Sequence, residues 1–433
     1  MSNINESIFK AYDIRGVYPE EINEEAVFKI AAAFVEFLNP AKVVVARDSR
    51  MSSDTLRQSV ITAISASGAD VIDIGMIPTP LFYFAVSKLN ASGGIMVTAS
   101  HNPSQYNGLK IVREKAIPVS QEDGLLQLKN LAKKIEVSRI RKGKVQEKDL
   151  INDYVNFLVA KSGLKGGEIK LNVGVDKRGI VNNVLTPLLE NLAIIPDQEA
   201  DIKFGFDVDG DRMGVSQNGK IIRADMLAGI IIQDTLERKS FVKKILKPGF
   251  VCDVRFSRAI AEYVSKRGGK IIRSRVGHPF IKKAMRKNKA VFGAEFSGHF
   301  YFKETFSSEA SILMMLKILK IMQRTGKSIW KLIEPFNKYF HSGEINLELG
   351  IRNYELWEEI VKKLKENYKD GKVDEFDGIT VEYPSTSLGT SWWFNLRPSN
   401  TELVLRLVVE ADTQYILDQR IKELTATISQ FSA

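Results

Sequence analysis

Amphipathic helices and short apolar strands alternate along the chain, and this alternation restricts the fold more than any other feature. In the first third, apolar runs predict strands at 42–46, 70–74 and 93–97, with helical patterns between and before them at 24–38, 54–67 and 78–89. The same order begins again near residue 150 and after residue 249. Because strands joined by helices need crossover connections, the pattern predicts parallel or mixed sheets.

The length of the chain and a change of pattern near its end predict several domains. A chain of 433 residues exceeds what one ordinary core supports. The last part contains a helix, several strands with turn signals and a final helix, which indicates an α+β domain. We therefore expect an α/β protein with three similar α/β domains that have mixed sheets, at 1–148, 149–248 and 249–341, and a C-terminal α+β domain at 342–433. We interpret the basic stretch 139–148 as a solvated helix end and linker.

Composition indicates a soluble globular protein with a small anionic ligand. The chain is 44% hydrophobic and 26% charged, and 62 Lys and Arg against 52 Asp and Glu give a net charge of +10. The basic residues are dispersed and match no nucleic-acid-binding motif, so we expect phosphorylated metabolites as partners and no nucleic acid. The single cysteine, Cys252, excludes an internal disulfide framework. Because we find neither a signal peptide nor an apolar run of about 20 residues, we expect no membrane association and a cytoplasmic location.

A loop of small and polar residues follows the strand predicted at 93–97. It reads Thr-Ala-Ser-His-Asn-Pro from residue 98 to 103, which places His101 and Lys110 close in sequence to Ser100. A serine hydroxyl with neighbours that move its proton acts as a nucleophile or carries a phosphoryl group. Taken alone, the segment fits an ordinary strand-to-loop turn better.

Three carboxylates alternate in the sequence Asp-Val-Asp-Gly-Asp-Arg from 207 to 212, directly after a predicted strand. Asp207, Asp209 and Asp211 in such a turn converge on one hard divalent cation. An EF-hand is excluded, because Arg212 stands where that loop requires glycine and Asn218 where it requires glutamate. Three carboxylates leave positions open, which suits Mg²⁺ that keeps waters and a phosphate oxygen. A surface acidic turn is the alternative.

Two further segments carry side chains suited to a sugar. In the loop 293–299, Glu295 and Ser297 fit recognition of hydroxyl groups, although a β-turn explains this loop at least as well. His278 opens a predicted helix, where it meets a phosphate or caps the helix. With His101 and His299, three of the four histidines of the chain fall inside candidate functional loops.

The loop 397–402, Arg-Pro-Ser-Asn-Thr-Glu, lies between two predicted strands. The Arg397 guanidinium offers a bidentate fork, and the small residues after it let successive backbone N–H groups face an anion. The segment is a candidate phosphate cradle, with a structural hairpin loop as the alternative.

Together, and in this order, the segments resemble the α-D-phosphohexomutase superfamily, on the branch of the bacterial phosphomannomutases and phosphoglucomutases. The matching segments span nearly the whole chain and are 9–16, 45–50, 98–103, 207–212, 295–299 and 397–402. The resemblance implies a four-domain, heart-shaped enzyme with one loop from each domain lining a central cleft. It implies reversible interconversion of hexose 6-phosphate and hexose 1-phosphate through a phosphoserine enzyme and a hexose 1,6-bisphosphate, which also serves as activator.

The resemblance also implies roles for individual residues. Ser100 would carry the phosphoryl group, and its phosphate would hold Mg²⁺ together with Asp207, Asp209 and Asp211. Catalytic positions of the first two domains match His101, Lys110, Arg15 and Arg212, and a substrate-binding position matches Tyr12. Sugar- and phosphate-binding positions of the last two domains match Arg255, His278, Glu295, Ser297, His299, Arg397, Ser399, Asn400 and Thr401. The implied partners are small-molecule hexose phosphates, with the enzyme a monomer or a homodimer.

Two departures from the family pattern bear on the function. The segment 191–200 before the aspartates is short, which indicates a trimmed second domain, and residues 307–310 (Ser-Ser-Glu-Ala) replace an acidic-glycine pair. A phosphoglucosamine mutase and a non-catalytic sugar-phosphate-binding relative are therefore alternatives. Phe296 and the context at 392–398 favour the mannose and glucose branch, with phosphomannomutase first.

A phosphatase with an aspartyl nucleophile is a further alternative, from the pair Asp207 and Asp209. It requires Thr or Val after Asp-Gly, where Asp211 stands, and it leaves the segment around Ser100 unexplained.

Overall fold

The computed structural model describes residues 4–135, 142–239, 247–348, 354–384, 391–399 and 404–431. The chain divides into two compact units. The first comprises residues 1–222, 277–293 and 297–327, and the second comprises residues 223–276, 294–296 and 328–433. The segment 249–341, predicted as one domain, contributes to both units, and the boundaries at 148, 248 and 341 stay predictions.

The N-terminal part of the first unit is a seven-stranded mixed sheet with helices packed on it. Its strands are β1 (Ile14–Val17), β2 (Lys42–Arg47), β3 (Asp70–Met76), β4 (Gly93–Val97), β5 (Tyr106–Arg113), β6 (Ile117–Pro118) and β7 (Val145–Glu147). Its helices are α1 (Glu24–Leu38), α2 (Ser53–Ala66), α3 (Thr79–Lys88) and α4 (Leu125–Ala132). The strand order is β1-β5-β4-β2-β3-β7, with β6 beside β5. Strands β4, β2, β3 and β7 are parallel, whereas β5 runs antiparallel to both of its neighbours in this order.

Helix α1 shows how the local sequence builds this layer. The Asn23 side chain caps the helix by accepting a hydrogen bond from the N–H of Ala26 at 3.0 Å. On the buried face, Phe34 lies in one hydrophobic core with Val45 of β2 and Ile95 of β4. Each such fully buried side chain stabilises the fold by roughly 1.5–3 kcal/mol. This core holds β4 in place, and the chain then leaves the carboxyl end of β4 into the segment that contains Ser100.

The interpretation of 139–148 as a helix end and linker is wrong for its last residues. Val145–Glu147 form strand β7, which pairs in parallel with β3 at the edge of the sheet. All three residues of β7 are exposed, so this strand needs no apolar pattern and carries none. Residues 139–141 lie outside the described part of the chain.

The next part of the first unit is a four-stranded sheet. Its elements are α5 (Ile151–Ser162), β8 (Gly174–Val175), α6 (Asn182–Asn191), β9 (Ile202–Phe206), β10 (Met213–Gln217) and β11 (Lys220–Ile222). The order is β11-β10-β9-β8, with β8 and β9 parallel and the other pairs antiparallel. Strand β8 has two residues where the sequence predicts a strand over 169–175. The turn between β9 and β10 carries the three aspartates.

The third part contributes elements to both units. In chain order these are α7 (Ala224–Lys239), β12 (Gly249–Asp253), α8 (Arg258–Lys266), β13 (Lys270–Ser274), α9 (His278–Asn288), β14 (Phe292–Ala294), β15 (Phe300–Phe302), β16 (Ser308–Glu309) and α10 (Ser311–Thr325). Strands β12 and β13 form a parallel pair in the second unit. Strands β15 and β16 form an antiparallel pair in the first unit. Cys252 on β12 is 2% exposed and is a free thiol packed in the core.

The C-terminal part has the α+β character that the sequence predicts for the end of the chain. Its elements are α11 (Ile329–Ile333), β17 (Phe340–His341), β18 (Ile345–Glu348), α12 (Tyr354–Asn367), β19 (Lys372–Asp374), β20 (Ile379–Tyr383), β21 (Trp392–Pro398), β22 (Val404–Ala411) and α13 (Gln414–Ser429). The antiparallel sheet has the order β17-β22-β21-β20-β19, and β18 also pairs with β22. Phe394, Leu407 and Leu424 belong to one core between this sheet and its helices. Among the described helices, none combines the length and the apolar character needed to cross a bilayer.

Candidate active site

Ser100 lies in the loop 98–105 between β4 and β5, which we call the Ser100 loop. Its side chain is buried, and its Oγ donates a hydrogen bond to Asp209 Oδ1 at 3.1 Å and lies 3.4 Å from His101 Nδ1. The backbone N–H of Ser100 donates to Thr98 Oγ1 at 2.9 Å. Ser100 has a φ of 53°, in the left-handed region that a non-glycine residue adopts only when its surroundings hold it there.

Arg50 supplies much of that support. Its guanidinium donates to the carbonyl oxygens of Ser100 at 2.7 Å and Asn102 at 2.6 Å. It also donates to the carbonyls of Pro103 at 2.7 Å and Tyr106 at 3.0 Å. Its Nε donates to the buried carboxylate of Asp48 at 3.1 Å, and this bond fixes the orientation of the guanidinium.

Arg15 on β1 contacts the other side of the Ser100 loop. Its Nη1 donates to Asn102 Oδ1 at 2.5 Å, and its Nε and Nη2 donate to Asp13 Oδ2 at 3.0 and 2.7 Å. Burial lowers the pKa of Arg15, but the Asp13 carboxylate and then Asp209 and Asp211 outweigh this and raise it. Arg15 is therefore a partly buried cation beside the loop.

Asp207, Asp209 and Asp211, which we call the aspartate trio, bring one carboxylate oxygen each within 4.8 Å of one another. Lys110 on β5 donates to Asp209 Oδ2 at 3.0 Å and to Asp211 Oδ2 at 2.5 Å. Thr79, at the start of α3, donates from its hydroxyl to Asp209 Oδ2 and from its N–H to the backbone carbonyl of Asp209, each at 2.9 Å. The trio therefore lies directly against the Ser100 loop and β5.

The charges within the trio are unequal. Burial and then repulsion by Asp211 and Asp209 raise the pKa of Asp207 well above its ordinary value. Burial also raises the pKa of Asp211, but Lys110 and His299 outweigh it and hold that pKa well below the ordinary value. Burial lowers the pKa of Lys110, and the carboxylates of Asp209 and Asp211 overcome it and raise the pKa well above the usual range.

These residues fit a divalent cation. Among the described residues, the buried Oδ2 of Asp207 accepts no hydrogen bond, and the Nε of Arg212 lies 3.7 Å from it. Three hard oxygen donors converge there, and their mutual repulsion would be relieved by a bound positive ion. The trio is therefore a candidate donor set for a metal ion.

His101, Arg212, His299 and Ser297 form a connected polar group next to the trio. Arg212 Nη2 lies 3.1 Å from His101 Nδ1, and His299 Nε2 lies 3.2 Å from Asp211 Oδ1. Ser297 Oγ lies 2.9 Å from His299 Nδ1. Burial, then the positive charges of Arg212 and Arg15, lowers the pKa of His101 to about 4, so its imidazole is neutral at pH 7.

His278 opens α9, as the sequence predicts, and its ring meets Tyr12 edge-on with centroids 5.9 Å apart. Its Nδ1 lies 3.6 Å from Glu309 Oε1, and Lys282 of the same helix lies 2.6 Å from Glu309 Oε2. Burial and the charge of Lys282 lower the pKa of His278 well below its ordinary value. Glu309 comes from the segment 307–310 that departs from the family pattern.

Glu295 and Arg255 lie in the second unit and are both buried. Arg255 is held by Asp253, whose Oδ1 accepts from Nε at 3.1 Å and whose Oδ2 accepts from Nη2 at 2.6 Å. Asp253 Oδ2 also accepts from the N–H of Phe296 at 2.9 Å, which ties the loop 294–296 to β12.

Arg397 on β21 and Arg255 converge on one carboxylate, that of Glu344. Glu344 Oε2 accepts from Arg255 Nη1 at 2.6 Å and from Arg397 Nη2 at 3.3 Å, and Glu344 Oε1 pairs with Arg406 Nη1. Ser399 follows β21, with its N–H bonded to the carbonyl of Val404 at 2.9 Å. Asn400 and Thr401 lie outside the described residues.

Family models match three segments of the chain. They are described as phosphoglucomutase/phosphomannomutase alpha/beta/alpha domain I over residues 6–138, alpha/beta/alpha domain III over 223–339 and the C-terminal domain over 358–427. The chain belongs to the phosphoglucomutase/phosphomannomutase family.

Relatives of this family match over nearly their whole length. A phosphomannomutase of Methanocaldococcus jannaschii is 34% identical over 98% of this chain and 98% of its own. A phosphomannomutase of Escherichia coli is 32% identical over 97% of this chain and 98% of its own. The first alignment spans 463 positions, more than the 433 residues of this chain, so that relative has residues that this chain lacks.

Solved structures support the fold. The crystal structure of a phosphoglucomutase/phosphomannomutase family protein from Burkholderia thailandensis has a TM-score of 0.82 and 28% identity, covering 99% of this chain and 98% of its own. The open form of parafusin, a phosphoglucomutase from Paramecium, has a TM-score of 0.73 and 16% identity, covering 98% of this chain and 95% of its own.

Membership of this family confirms the main predictions from the sequence. The superfamily membership, the α/β multidomain fold and the phosphomannomutase/phosphoglucomutase activity are confirmed, and the protein is a phosphohexomutase, an isomerase. The phosphoglucosamine mutase and the non-catalytic sugar-phosphate-binding alternatives are not favoured. The roles of individual residues stay predictions.

Some side chains that hold predicted site residues are not themselves predicted from the sequence, among them Arg50, Thr79 and Glu344. Arg50 lies in the matching segment 45–50, where its spacing from Asp48 is the available signal. Thr79 and Glu344 stand singly among unremarkable neighbours, and only the folded chain shows that they meet Asp209 and three arginines. Nothing in the local sequence marks them.

Proposed function

We propose that this phosphohexomutase interconverts the 6- and 1-phosphates of mannose and of glucose through a phosphoserine at Ser100. One observation carries the proposal: the Ser100 hydroxyl donates to Asp209 at 3.1 Å, in a trio of carboxylates that Lys110 bridges. A serine beside a cation site and a buried ammonium suits phosphoryl transfer, which depends on positioning and on neutralising charge. Mannose stands first because two relatives that match nearly the whole chain are phosphomannomutases.

In the proposed reaction a free hydroxyl of the hexose phosphate attacks the phosphorus of phosphoserine. The new P–O bond forms as the bond to Ser100 Oγ breaks, the hydroxyl proton passes to a protein base, and this base returns a proton to the freed Oγ, which lies 3.4 Å from His101 Nδ1. His101, neutral at pH 7, is the base that we assign, and Lys110 and Arg15 balance negative charge around the leaving oxygen. Mg²⁺ on the aspartate trio would neutralise charge on the transferred phosphoryl oxygens.

The product of this step is a hexose 1,6-bisphosphate, which turns around and returns its other phosphate to Ser100. Arg397, Arg255 and Ser399, with Asn400 and Thr401, would hold the phosphate that is not reacting. Tyr12, His278, Glu295, Ser297, His299 and Arg212 would contact the sugar and its phosphates. We retain the four domains at 1–148, 149–248, 249–341 and 342–433, hexose 1,6-bisphosphate as activator, and a cytoplasmic enzyme that is a monomer or a homodimer as parts of the proposal.

The test replaces Ser100 and determines which residue becomes phosphorylated. Wild-type protein, Ser100→Ala and Ser104→Ala are incubated with Mg²⁺ and glucose 1,6-bisphosphate, and mass spectrometry locates added phosphate. Exposed Ser104 in the same loop is the matched control. We expect phosphate on Ser100 in the wild type and in Ser104→Ala, and loss of mutase turnover in Ser100→Ala alone.

Steady-state rates on mannose, glucose and glucosamine phosphates determine which substrate the enzyme prefers. Higher kcat/KM with mannose and glucose phosphates supports the proposal, and a preference for glucosamine phosphate contradicts it. Undiminished turnover in Ser100→Ala, or phosphate found on another residue, contradicts the phosphoserine.

A further inference from the structure

Glu344 is surrounded by three guanidinium groups in the second compact unit. Arg255, Arg397 and Arg406, which we call the arginine cluster, all pair with its carboxylate. Burial raises the pKa of Glu344, but Arg255, Arg406 and Arg397 outweigh it and lower the pKa to about 2. The carboxylate is therefore ionised at any working pH and occupies the edges of the guanidiniums that an anion would use.

Two members of the arginine cluster are proposed phosphate contacts. A carboxylate and a phosphate bind guanidinium with the same bidentate geometry, so they compete for Arg255 and Arg397. Arg397 has spare capacity for an anion, since its buried Nε has no hydrogen-bond partner among the described residues. Its Nη1 donates to the carbonyl of Pro398 at 3.2 Å.

Charge neutralisation of Arg255 does not depend on Glu344. Arg255 already makes two hydrogen bonds to Asp253, and this carboxylate fixes its position on β12. The bond from Arg397 Nη2 to Glu344 is longer, at 3.3 Å, than the 2.6 Å bond from Arg255. The carboxylates of Asp253, Glu344 and Asp377 all face the arginine cluster, so a phosphate has to compete with internal carboxylates for its guanidiniums.

We infer that Glu344 is a positioning residue that competes with the substrate phosphate for the arginine cluster, and so limits how tightly that phosphate is held. The inference rests on the proposed function, in which the cluster holds the idle phosphate. A bisphosphate that turns around has to release this phosphate once in every cycle. An internal carboxylate that takes its place on the arginines would speed the release, at the cost of weaker binding.

The test is Glu344→Gln, which keeps the shape and removes the charge. Binding of inorganic phosphate is measured by calorimetry in the Ser100→Ala background, where no turnover occurs. We expect phosphate to bind about 10-fold more tightly to Glu344→Gln, because one competing charge is gone. In an otherwise wild-type chain, we expect KM for hexose phosphate and kcat both to fall several-fold, because release of the phosphate becomes slow.

Glu423→Gln is the matched control, because Glu423 pairs with Arg420 on α13 at 2.6 Å and lies outside the arginine cluster. This control should leave phosphate affinity, KM and kcat unchanged. Unchanged or weaker phosphate binding in Glu344→Gln overturns the inference, as does a rise in KM with the fall in kcat, which a merely structural role would give.

Glu344→Asp keeps the inference testable if the glutamine variant does not fold. It retains the charge but withdraws the carboxylate by one methylene, so phosphate should bind more tightly than in the wild type. Equal or weaker binding overturns the inference. Failure of the proposed function is seen separately, as absence of mutase turnover in the wild type, while the phosphate-binding comparison still decides the role of Glu344.

Discussion

At the scale of single residues, the conformation of the Ser100 loop depends on Arg50. Its planar guanidinium donates to four backbone carbonyls, three in the loop and one at the start of β5. A hydrogen bond to Asp48 fixes the orientation of this guanidinium. Lysine cannot reproduce this arrangement, because an ammonium has three donors on a flexible stem. The left-handed backbone of Ser100 is held by a side chain about 50 residues away in sequence.

Arg50→Lys should therefore lower kcat without removing the nucleophile. A displacement of Ser100 by about 1 Å would cost roughly 100-fold in rate. Initial-rate assays with hexose phosphate and thermal unfolding provide the measurement. Arg178→Lys is the control, since Arg178 bonds Asp176 with the same spacing as Arg50 and Asp48 but is 91% exposed. Equal activity in the two variants would show that the Arg50 bonds do not position Ser100.

The aspartate trio gives a prediction about pH and metal. Because the pKa of Asp207 is raised in the folded protein, its ionisation destabilises the metal-free fold as pH rises from the ordinary carboxyl range through that raised pKa. The substitution Asp207→Asn should remove this loss of stability. In EDTA, the unfolding temperature of the Asp207→Asn variant should exceed that of the wild type near pH 7, and the two temperatures should be closer near pH 4.

Added Mg²⁺ should raise the unfolding temperature of the wild type and have little effect on Asp207→Asn. Thermal unfolding over this pH range, with EDTA or Mg²⁺, is the measurement. Asp201→Asn, at an exposed carboxylate just before β9, is the control and should behave like the wild type. Equal stabilisation of both variants by Mg²⁺ would place the metal elsewhere.

At the scale of elements, the turn between β19 and β20 determines where β21 presents Arg397. Gly378 in that turn has a φ of 70°, and a Cβ built there would lie 2.2 Å from the carbonyl oxygen of Leu396 and 2.5 Å from Arg397 Cβ. Both contacts are far inside van der Waals distance, and one of them is with backbone. Glycine at 378 is therefore what lets β20 and β21 pair with this register.

Gly378→Ala should destabilise the C-terminal sheet and weaken phosphate binding together. Gly268→Ala is the matched control, since Gly268 has a φ of 74° and nothing within 4 Å of a built Cβ. Both substitutions cost about 1–2 kcal/mol for the left-handed backbone, and only Gly378→Ala adds the clash. Chemical denaturation and phosphate titration measure the two effects. Similar unfolding free energies for the two variants would contradict the steric role of Gly378.

The elements also show what the sequence can predict. Its apolar patterns predict helix α1 and strand β4 with their observed bounds, because these patterns match buried faces. They do not predict β1 and β5 as strands, although both carry site residues. Asn107, Gly108 and Lys110 interrupt the apolar pattern of β5, and Lys110 is there to meet the aspartate trio. Polar site residues interrupt the apolar pattern from which strands are predicted, so a strand that carries them is missed.

At the scale of the whole molecule, the proposed machinery is distributed over two compact units. The Ser100 loop and the aspartate trio belong to the first, whereas Glu344 and the arginine cluster belong to the second. The metal and the idle phosphate therefore have separate binding partners. Each ligand should stabilise the unit that holds its ligating residues.

Hydrogen exchange of the Ser100→Ala protein tests this separation. Mg²⁺ without phosphate should slow exchange in peptides covering 98–113 and 207–217, and inorganic phosphate in EDTA should slow exchange in peptides covering 340–348 and 392–399. Asp207→Asn should abolish the first effect and leave the second. Protection of the arginine-cluster peptides by Mg²⁺ alone would contradict the separation.

The burial of Cys252 makes the protein suitable for site-specific labelling with dyes. Cys252 is the single thiol in the sequence and is 2% exposed, and burial raises its pKa well above the ordinary value, so maleimide reagents would find almost no thiolate. A pair of cysteines engineered on the surface, one in each unit, could carry donor and acceptor dyes with no background labelling to remove. Fluorescence energy transfer between the dyes would then test whether substrate changes the distance between the two labelled positions.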